Sequence, residues 1–358
     1  MMHNNASNTV AMDLPRLSPQ ARIAVAGAGS IGCYVGGCLA VAGRRVALLL
    51  RPALADEIGR HGMRLSDLEG GNRMPASEIL NLATDPAAAF AQADVILVTV
   101  KSGATQEMAD LIERHAPPGA IVVSLQNGVD NVDRLKARLG NKHAVVGGMV
   151  PFNVVRTREV DGRPRFHRAT SGTVLIGTGI AGLSSLLDVP GLAVGEQADI
   201  KAVQWGKLLF NLNNALNALS GLPLATQLAD RRWRRLLAAQ IEEALAVLRA
   251  SGIRAAPIER VPPSLIPFIL RLPDAVFRVA ARRMLAIDPQ ARSSMWEDLE
   301  RRRSTEIDHL QGAIVTLAAK VGVSVPMNAR IVGLVHRAET AGNGSPHLAP
   351  DEVARDAA

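Results

Sequence analysis

The chain has 358 residues, 48% of them hydrophobic, which is enough to fill the cores of two ordinary domains. Aromatic residues are only 3%, which argues against stacking platforms for single-stranded nucleic acid. The formal charge of +7 sits largely in arginine runs, Arg231, Arg232, Arg234, Arg235 and Arg301 to Arg303, read as solvated helix faces; no nucleic-acid partner is expected.

Residues 1–20 carry Asn, Ser and Pro without an apolar run and read as a disordered leader rather than a signal peptide. No stretch of 18 uninterrupted apolar residues occurs, so no membrane partner is expected. Arg22–Ala26 is a short apolar run, followed by Gly27-Ala28-Gly29-Ser30-Ile31-Gly32, a small-residue stretch to Ala42, a glycine stop at Gly43, and a second apolar run, Arg45–Leu50. This is strand, glycine turn, helix, strand: one βαβ unit. Cys33 and Cys38 fit no zinc or redox spacing; they read as core residues of a reduced, cytoplasmic protein, and no metal site is expected. Asp94–Val100 and Ala120–Leu125 read as buried parallel strands, Ala144–Gly148 as a further strand, and Gly172–Gly177 as an antiparallel edge.

Beyond about residue 196 helical spacing takes over, in segments 199–220, 226–251, 290–320 and 326–339. The expected organisation is therefore a leader at 1–20, an α/β Rossmann domain at 21–190, an all-helical domain at 191–340 and a frayed tail at 341–358.

The glycine turn has the context that gives the G-x-G-x-x-G pattern meaning, since it follows a strand and opens a helix. Gly27 permits the tight turn, Gly29 lets backbone approach a pyrophosphate, Gly32 lets helix and strand pack, and the helix N-terminus at Ser30 and Ile31 offers free N–H groups to phosphates. NAD enzymes carry an acid at the end of the second strand. Here Arg51 follows Leu50, 19 residues after Gly32, and no acid occurs until Asp56. A guanidinium pairs with a 2′-phosphate, so NADP is the expected cofactor.

Carbonyl reduction by a nicotinamide needs a proton donor and groups that hold the substrate. Lys207, Asn211 and Asn214 lie at i, i+4 and i+7, on one helix face. Four asparagines between Asn211 and Asn217 are costly inside a helix, as expected where function overrides local preference. Downstream, Ser294 and Asp298 are four apart and Glu306 lies eight further on, so the three share a face if that helix is continuous.

Six pieces in order are similar to the ketopantoate reductase family: the glycine turn, Val98-Thr99-Val100-Lys101, Gln126-Asn127-Gly128-Val129, Lys207-Leu208-Leu209-Phe210-Asn211, Ser293-Ser294-Met295-Trp296 with Asp298, and Thr305-Glu306-Ile307-Asp308. The resemblance covers nearly all of residues 21–335 and implies a Rossmann domain joined to a helical domain of the 6-phosphogluconate dehydrogenase type, with the site in the cleft between them. It implies that Lys207 is the general acid, that Glu306 binds and orients substrate, and that Asn211 and Ser294 hydrogen-bond it. Lys101 and Asn127 would line the nicotinamide end. The family's second asparagine, eight residues after the lysine, is Ala215 here, and either Asn214 or Asn217 can take its role. The Pro-rich segment 255–290 is a second departure, expected to reshape the pocket. The expected reaction is NADPH-dependent reduction of 2-dehydropantoate to (R)-pantoate, on the way to pantothenate and coenzyme A. The alternatives are an NADP-dependent dehydrogenase of another 2-oxo or 2-hydroxy acid and a non-catalytic NADP sensor. The partner is thus a small 2-oxo acid, and a homodimer is compatible with this reading.

Overall fold

The computed structural model describes residues 17–76, 79–257, 261–280 and 290–355. The strands are β1 (Arg22–Ala26), β2 (Arg45–Leu49), β3 (Arg64–Asp67), β4 (Asn72–Arg73), β5 (Asn81–Ala83), β6 (Val95–Val98), β7 (Ile121–Ser124), β8 (Ala144–Met149), β9 (Val154–Arg158), β10 (Pro164–Arg168), β11 (Val174–Gly177) and β12 (Val194–Gln197). Eight of them form one sheet in the order β12-β11-β8-β7-β6-β1-β2-β5. From β8 through β5 every pairing is parallel, with Ile23 opposite Val46 on one side and Val95 on the other. Every residue of β6 and β7 is buried, the mark of parallel strands covered on both faces. Two apolar clusters, one around Leu39, Leu48 and Val123 and one around Phe90, Ile96 and Ile112, fill the two faces.

β11 is antiparallel to β8, as expected, but it is not the edge, because β12 pairs beyond it. The sheet therefore continues past residue 190, and the change to helices falls after Gln197. β12 reads Val-Gly-Glu-Gln and is only partly buried, so it lacks the apolar run that marks its neighbours.

A second sheet, ordered β4-β3-β10-β9, was not legible in the sequence. Its strands are short and charged, with Arg64 paired to Glu159 and with Arg156 and Arg158 both paired to Glu57 on the neighbouring helix. The helix Ser30–Val41 lies between the two sheets, and its small residues explain how. A Cβ on Gly36 would come within 2.4 Å of Leu48, and one on Gly37 within 2.8 Å of Leu65. The helix can approach both sheets because those carbons are missing.

The second half is helical around its own core of Trp205, Leu209, Trp233, Ile314 and Ile331. The segment 199–220 is two helices, Ile200–Asn211 and Asn213–Ser220, meeting at Leu212, whose carbonyl accepts a hydrogen bond from the Gln311 side chain at 2.9 Å. The segment 226–251 is likewise divided, at Asp230, which caps the helix Arg231–Ala250 by accepting from the Arg232 N–H.

Three further expectations are corrected. Arg234 is not solvated; it is fully buried, donates to the carbonyls of Leu228, Ala229, Leu270 and Leu272, pairs with Asp274 and stacks over Phe277. Residues 290–320 are not one helix. The helix Ser294–Glu300 stops at a left-handed Arg302 (φ 51°), with the Arg303 N–H returning to the Asp298 carbonyl at 2.8 Å, and a new helix runs Gln311–Val321. The segment 341–358 does not fray throughout: Ser345 donates to the Ala218 carbonyl at 2.7 Å, and the short helix Pro350–Ala354 buries Val353. Of the leader, residues 1–16 lie outside the described residues, as do 258–260 and 281–289 of the Pro-rich segment. Among the described residues no helix is long and apolar enough to cross a membrane.

Candidate active site

β1 ends at Ala26 and the glycine turn begins with Gly27 at φ 79°, a conformation that L side chains rarely adopt. A Cβ there would also lie 2.1 Å from Val100. At Gly32 a Cβ would meet Thr99 Oγ1 at 2.5 Å and Val25 at 3.0 Å, so this glycine serves helix-to-strand packing. Gly29 differs, because a Cβ there would meet no protein atom within 4 Å. The turn is open at that point, and no side chain caps the helix Ser30–Val41. Uncapped N–H groups, the positive end of the helix dipole and open space are the conditions for holding a pyrophosphate, so the residues present fit a dinucleotide. Ala28 N–H donates to the Leu49 carbonyl at 2.8 Å, tying the turn to the end of β2. Two residues on, exposed Arg51 opens the helix Pro52–His61.

The carboxyl ends of β6 and β7 carry the next groups. Asn127 Nδ2 donates to Glu306 Oε2 at 3.2 Å. Ser102, which no motif marks, donates to Glu306 Oε1 from its backbone N–H at 3.1 Å and from its hydroxyl at 2.9 Å. Glu306 belongs to the helical half, so these bonds cross between the domains. Glu306 does not extend the helix carrying Ser294 and Asp298; the break at Arg302 lets the chain turn and bring its carboxylate to the Rossmann edge. Lys101 also crosses over, pairing with Asp298 at 2.5 Å and donating to the Ser304 carbonyl at 3.4 Å. Asp298 is buried and also pairs with Arg303 at 3.0 Å. Burial pushes the Asp298 carboxyl up, against the pull of Lys101 and Arg303.

Lys207 reaches the other way. It stands on the helix Ile200–Asn211 and donates to the carbonyl of Val150, just beyond β8. Burial lowers its pKa to about 8, and the Glu306 carboxylate opposes that shift. An ammonium with this pKa is poised to give up its proton near neutrality.

The asparagines divide sharply. Asn217 is fully buried and both ends of its amide are used. Nδ2 donates to the Leu222 carbonyl and Gln227, and Oδ1 accepts from the Ser293 N–H at 2.8 Å. It is a strut joining the helix Asn213–Ser220 to the Ser293 turn, which corrects its expected place among substrate contacts. Asn213 exchanges hydrogen bonds with Gln227 in the same network. Asn211 stands one turn beyond Lys207 on the same helix, whereas Asn214 belongs to the next helix, past Leu212, so the three do not share the one continuous helix expected; the side-chain amides of Asn211 and Asn214 make no hydrogen bond to the described residues. Ser294 opens its helix with an exposed side chain, while the neighbouring Ser293 is the cap, accepting from the Trp296 N–H and donating to the Asn214 carbonyl.

The structure thus brings Lys207, Glu306, Lys101 and Asn127 together across the domain boundary. Ser102 and the Val150 carbonyl complete the set, and no local pattern marks either one.

Comparison with known proteins gives a consistent result. The family model described as Ketopantoate reductase PanE/ApbA matches residues 23–179, and the model for the C terminal part of the same family matches residues 199–339. A 2-dehydropantoate 2-reductase of Halobacterium salinarum is 28% identical, covering 90% of this chain and 100% of that protein. The crystal structure of a PanE/ApbA family ketopantoate reductase from Ralstonia eutropha JMP134 is 29% identical, covers 90% of this chain and 99% of that one, and superposes with a TM-score of 0.74. D-mandelate dehydrogenase, solved with NADH and anilino(oxo)acetate, is 22% identical with coverages of 90% and 99% and a TM-score of 0.71, a likeness of fold.

Proposed function

The chain belongs to the ketopantoate reductase family of nicotinamide-dependent oxidoreductases, and on that premise we propose that it reduces 2-dehydropantoate to (R)-pantoate with NADPH, a step toward pantothenate and coenzyme A. The observation that carries this reading is Lys207, with a pKa lowered to about 8, beside a Glu306 that the opposite domain holds in place.

A nicotinamide cofactor, held by the glycine turn and the uncapped N-terminus of the helix Ser30–Val41, would supply the hydride. The rest falls to the chain. Lys207 donates its proton to the carbonyl oxygen as negative charge develops there, leaving the neutral amine on the Val150 carbonyl. The unoccupied amides of Asn211 and Asn214 and the exposed Ser294 hydroxyl hold the polar ends of the substrate. Glu306 accepts from the distal hydroxyl that distinguishes ketopantoate from simple 2-oxo acids. Arg51 reads the 2′-phosphate of NADPH. Two buried free cysteines fit a reducing, cytoplasmic setting.

A second reading, reduction of another 2-oxo acid, is favoured by the likeness of fold to D-mandelate dehydrogenase, since one architecture serves both substrates. NADPH oxidation against a panel of 2-oxo acids decides between them. The highest kcat/KM on ketopantoate is the expected result. A higher value on another member moves the second reading ahead, and no turnover on any member leaves a nucleotide sensor.

A further inference from the structure

Beneath Glu306 lies a chain of buried polar side chains from the Rossmann half that touches neither the glycine turn nor the Lys207 face. Ser102 and Thr105 are fully buried, and Asn131 and Gln126 nearly so. Gln126 Nε2 donates to Thr105 Oγ1 at 2.7 Å, and the Thr105 hydroxyl has two acceptors in reach, Asn131 Oδ1 at 2.8 Å and the Ser102 carbonyl at 2.9 Å. The Asn127 carbonyl can only accept, and this sets the orientation of the Asn131 amide with Nδ2 toward it. Asn131 Nδ2 then spends one hydrogen on the Asn127 carbonyl at 2.5 Å and the other on Ser102 Oγ at 3.0 Å. The Ser102 hydroxyl has one proton and two acceptors in reach, the Asn127 carbonyl at 3.0 Å and Glu306 Oε1 at 2.9 Å. The carbonyl is already served by Asn131 and is neutral. The carboxylate is charged, and a charge-assisted bond is roughly twice as strong, so the proton goes to Glu306.

We propose that Ser102, oriented by Asn131, is a positioning residue that holds Glu306 beside Lys207 but out of an ion pair with it. Glu306 accepts from Ser102 and Asn127, and Lys207 donates to the Val150 carbonyl. Glu306 couples electrostatically to Lys207 and to Asp298, and the neighbouring cations Lys101 and Arg303 are both paired with Asp298. Lys207 is the opposite charge coupled to Glu306 that has no carboxylate partner among the described residues, and so the one the carboxylate can close on if its donors are weakened. A lysine in a direct ion pair is a poorer acid, and a carboxylate in one is a poorer acceptor for substrate. The clamp keeps both groups available. This inference rests on the proposed roles of Lys207 and Glu306.

The test uses Ser102→Ala, Asn131→Asp and the double variant, each assayed with NADPH and the best 2-oxo acid of the panel across pH. Ser102→Ala deletes one charge-assisted bond, and a loss of roughly 10-fold or more in kcat/KM is expected, most of it in kcat. Its alkaline limb moves to higher pH as Glu306 closes on Lys207. Asn131→Asp keeps the hydroxyl but offers its proton a competing carboxylate, so a loss in the same direction is expected. The double variant then loses little beyond Ser102→Ala, because the two residues act through one bond. An unmoved or lowered alkaline limb in Ser102→Ala, or fully additive losses, overturns the clamp. If the unmutated enzyme turns over no 2-oxo acid, it is the proposed function that fails. The clamp is then judged by 13C NMR titration of Lys207, its signal assigned by its absence in Lys207→Arg. A higher pKa in Ser102→Ala supports the clamp, and an equal or lower one overturns it.

Discussion

On the proposed assignment the two walls of the site would meet their ligands by different means. On the Rossmann wall the contact surface is largely backbone. Gly29 faces open space, the first helical turn is uncapped, and the neighbouring glycines are there because a Cβ would strike Val100 or Thr99. On the helical wall the surface is side chains, Lys207, Asn211, Asn214 and Ser294, and the helices carrying Lys207 and Ser294 are capped by the Asp199 and Ser293 side chains. Backbone recognition suits a phosphate, which every dinucleotide presents in the same way, whereas side chains suit a substrate whose functional groups must be told apart. Substitutions on the helical wall should therefore change turnover and substrate choice, and those at the Rossmann edge should change cofactor choice.

The largest break in that division is expected at Lys207. Lys207→Ala should retain NADPH binding and lose about 10²- to 10⁴-fold in kcat, the range of general acid catalysis. Equal kcat in the two proteins would place the proton donor elsewhere. The same lysine sets the pH profile. Because burial lowers its pKa to about 8, activity should be full below that value and fall as pH rises through it and the ammonium is lost. A kcat that stays level well above pH 8 would contradict this assignment.

Glu306 comes next. Glu306→Ala should raise KM and lower kcat for ketopantoate, and should erode the preference for ketopantoate over 2-oxoisovalerate, which lacks the distal hydroxyl. Loss of a hydrogen bond to a charged group is worth roughly 10- to 150-fold in that ratio. An unchanged ratio would mean that Glu306 does not read the hydroxyl.

Arg51 tests the opposite wall. Arg51→Ala should weaken NADPH binding by about 10- to 150-fold, with little effect on NADH and little on kcat at saturating cofactor. Equal dissociation constants for the two cofactors in the unmutated protein would remove the reason for the assignment. The smallest effect on catalysis belongs to a contrast within the helical wall. Asn214→Ala should change KM several-fold and leave thermal stability near that of the parent. Asn217→Ala should lower Tm by several degrees, since it strips partners from a buried network at a cost of about 1–3 kcal/mol. A thermally unchanged Asn217→Ala would contradict its role as a strut.

Local pattern carried the sequence a long way. The glycine turn and the alternation of buried strands with helices depend on neighbours within one or two turns of chain, and periodicity reports such neighbours directly. It could not report the small sheet, whose β3 and β10 pair Leu65 with Phe166 although their charged outer residues carry no strand signal. Nor could it tell Asn217 from Asn214, because the distinction lies in the Ser293 N–H and Gln227 side chain that meet one and not the other. Arg234 looks like its neighbours in a basic run, yet it is buried because carbonyls left at the ends of other helices converge on it. The placement of Glu306 is the fullest case. Its contact with Ser102 spans 204 residues of sequence and depends on a left-handed turn at Arg302 that no glycine announces. By itself the sequence determined which groups could act, because side-chain chemistry and helical spacing are local properties. Which of them meet was decided only by the tertiary structure, since that depends on how two separately cored domains pack, and the packing energy is spread over residues that take no part in the site.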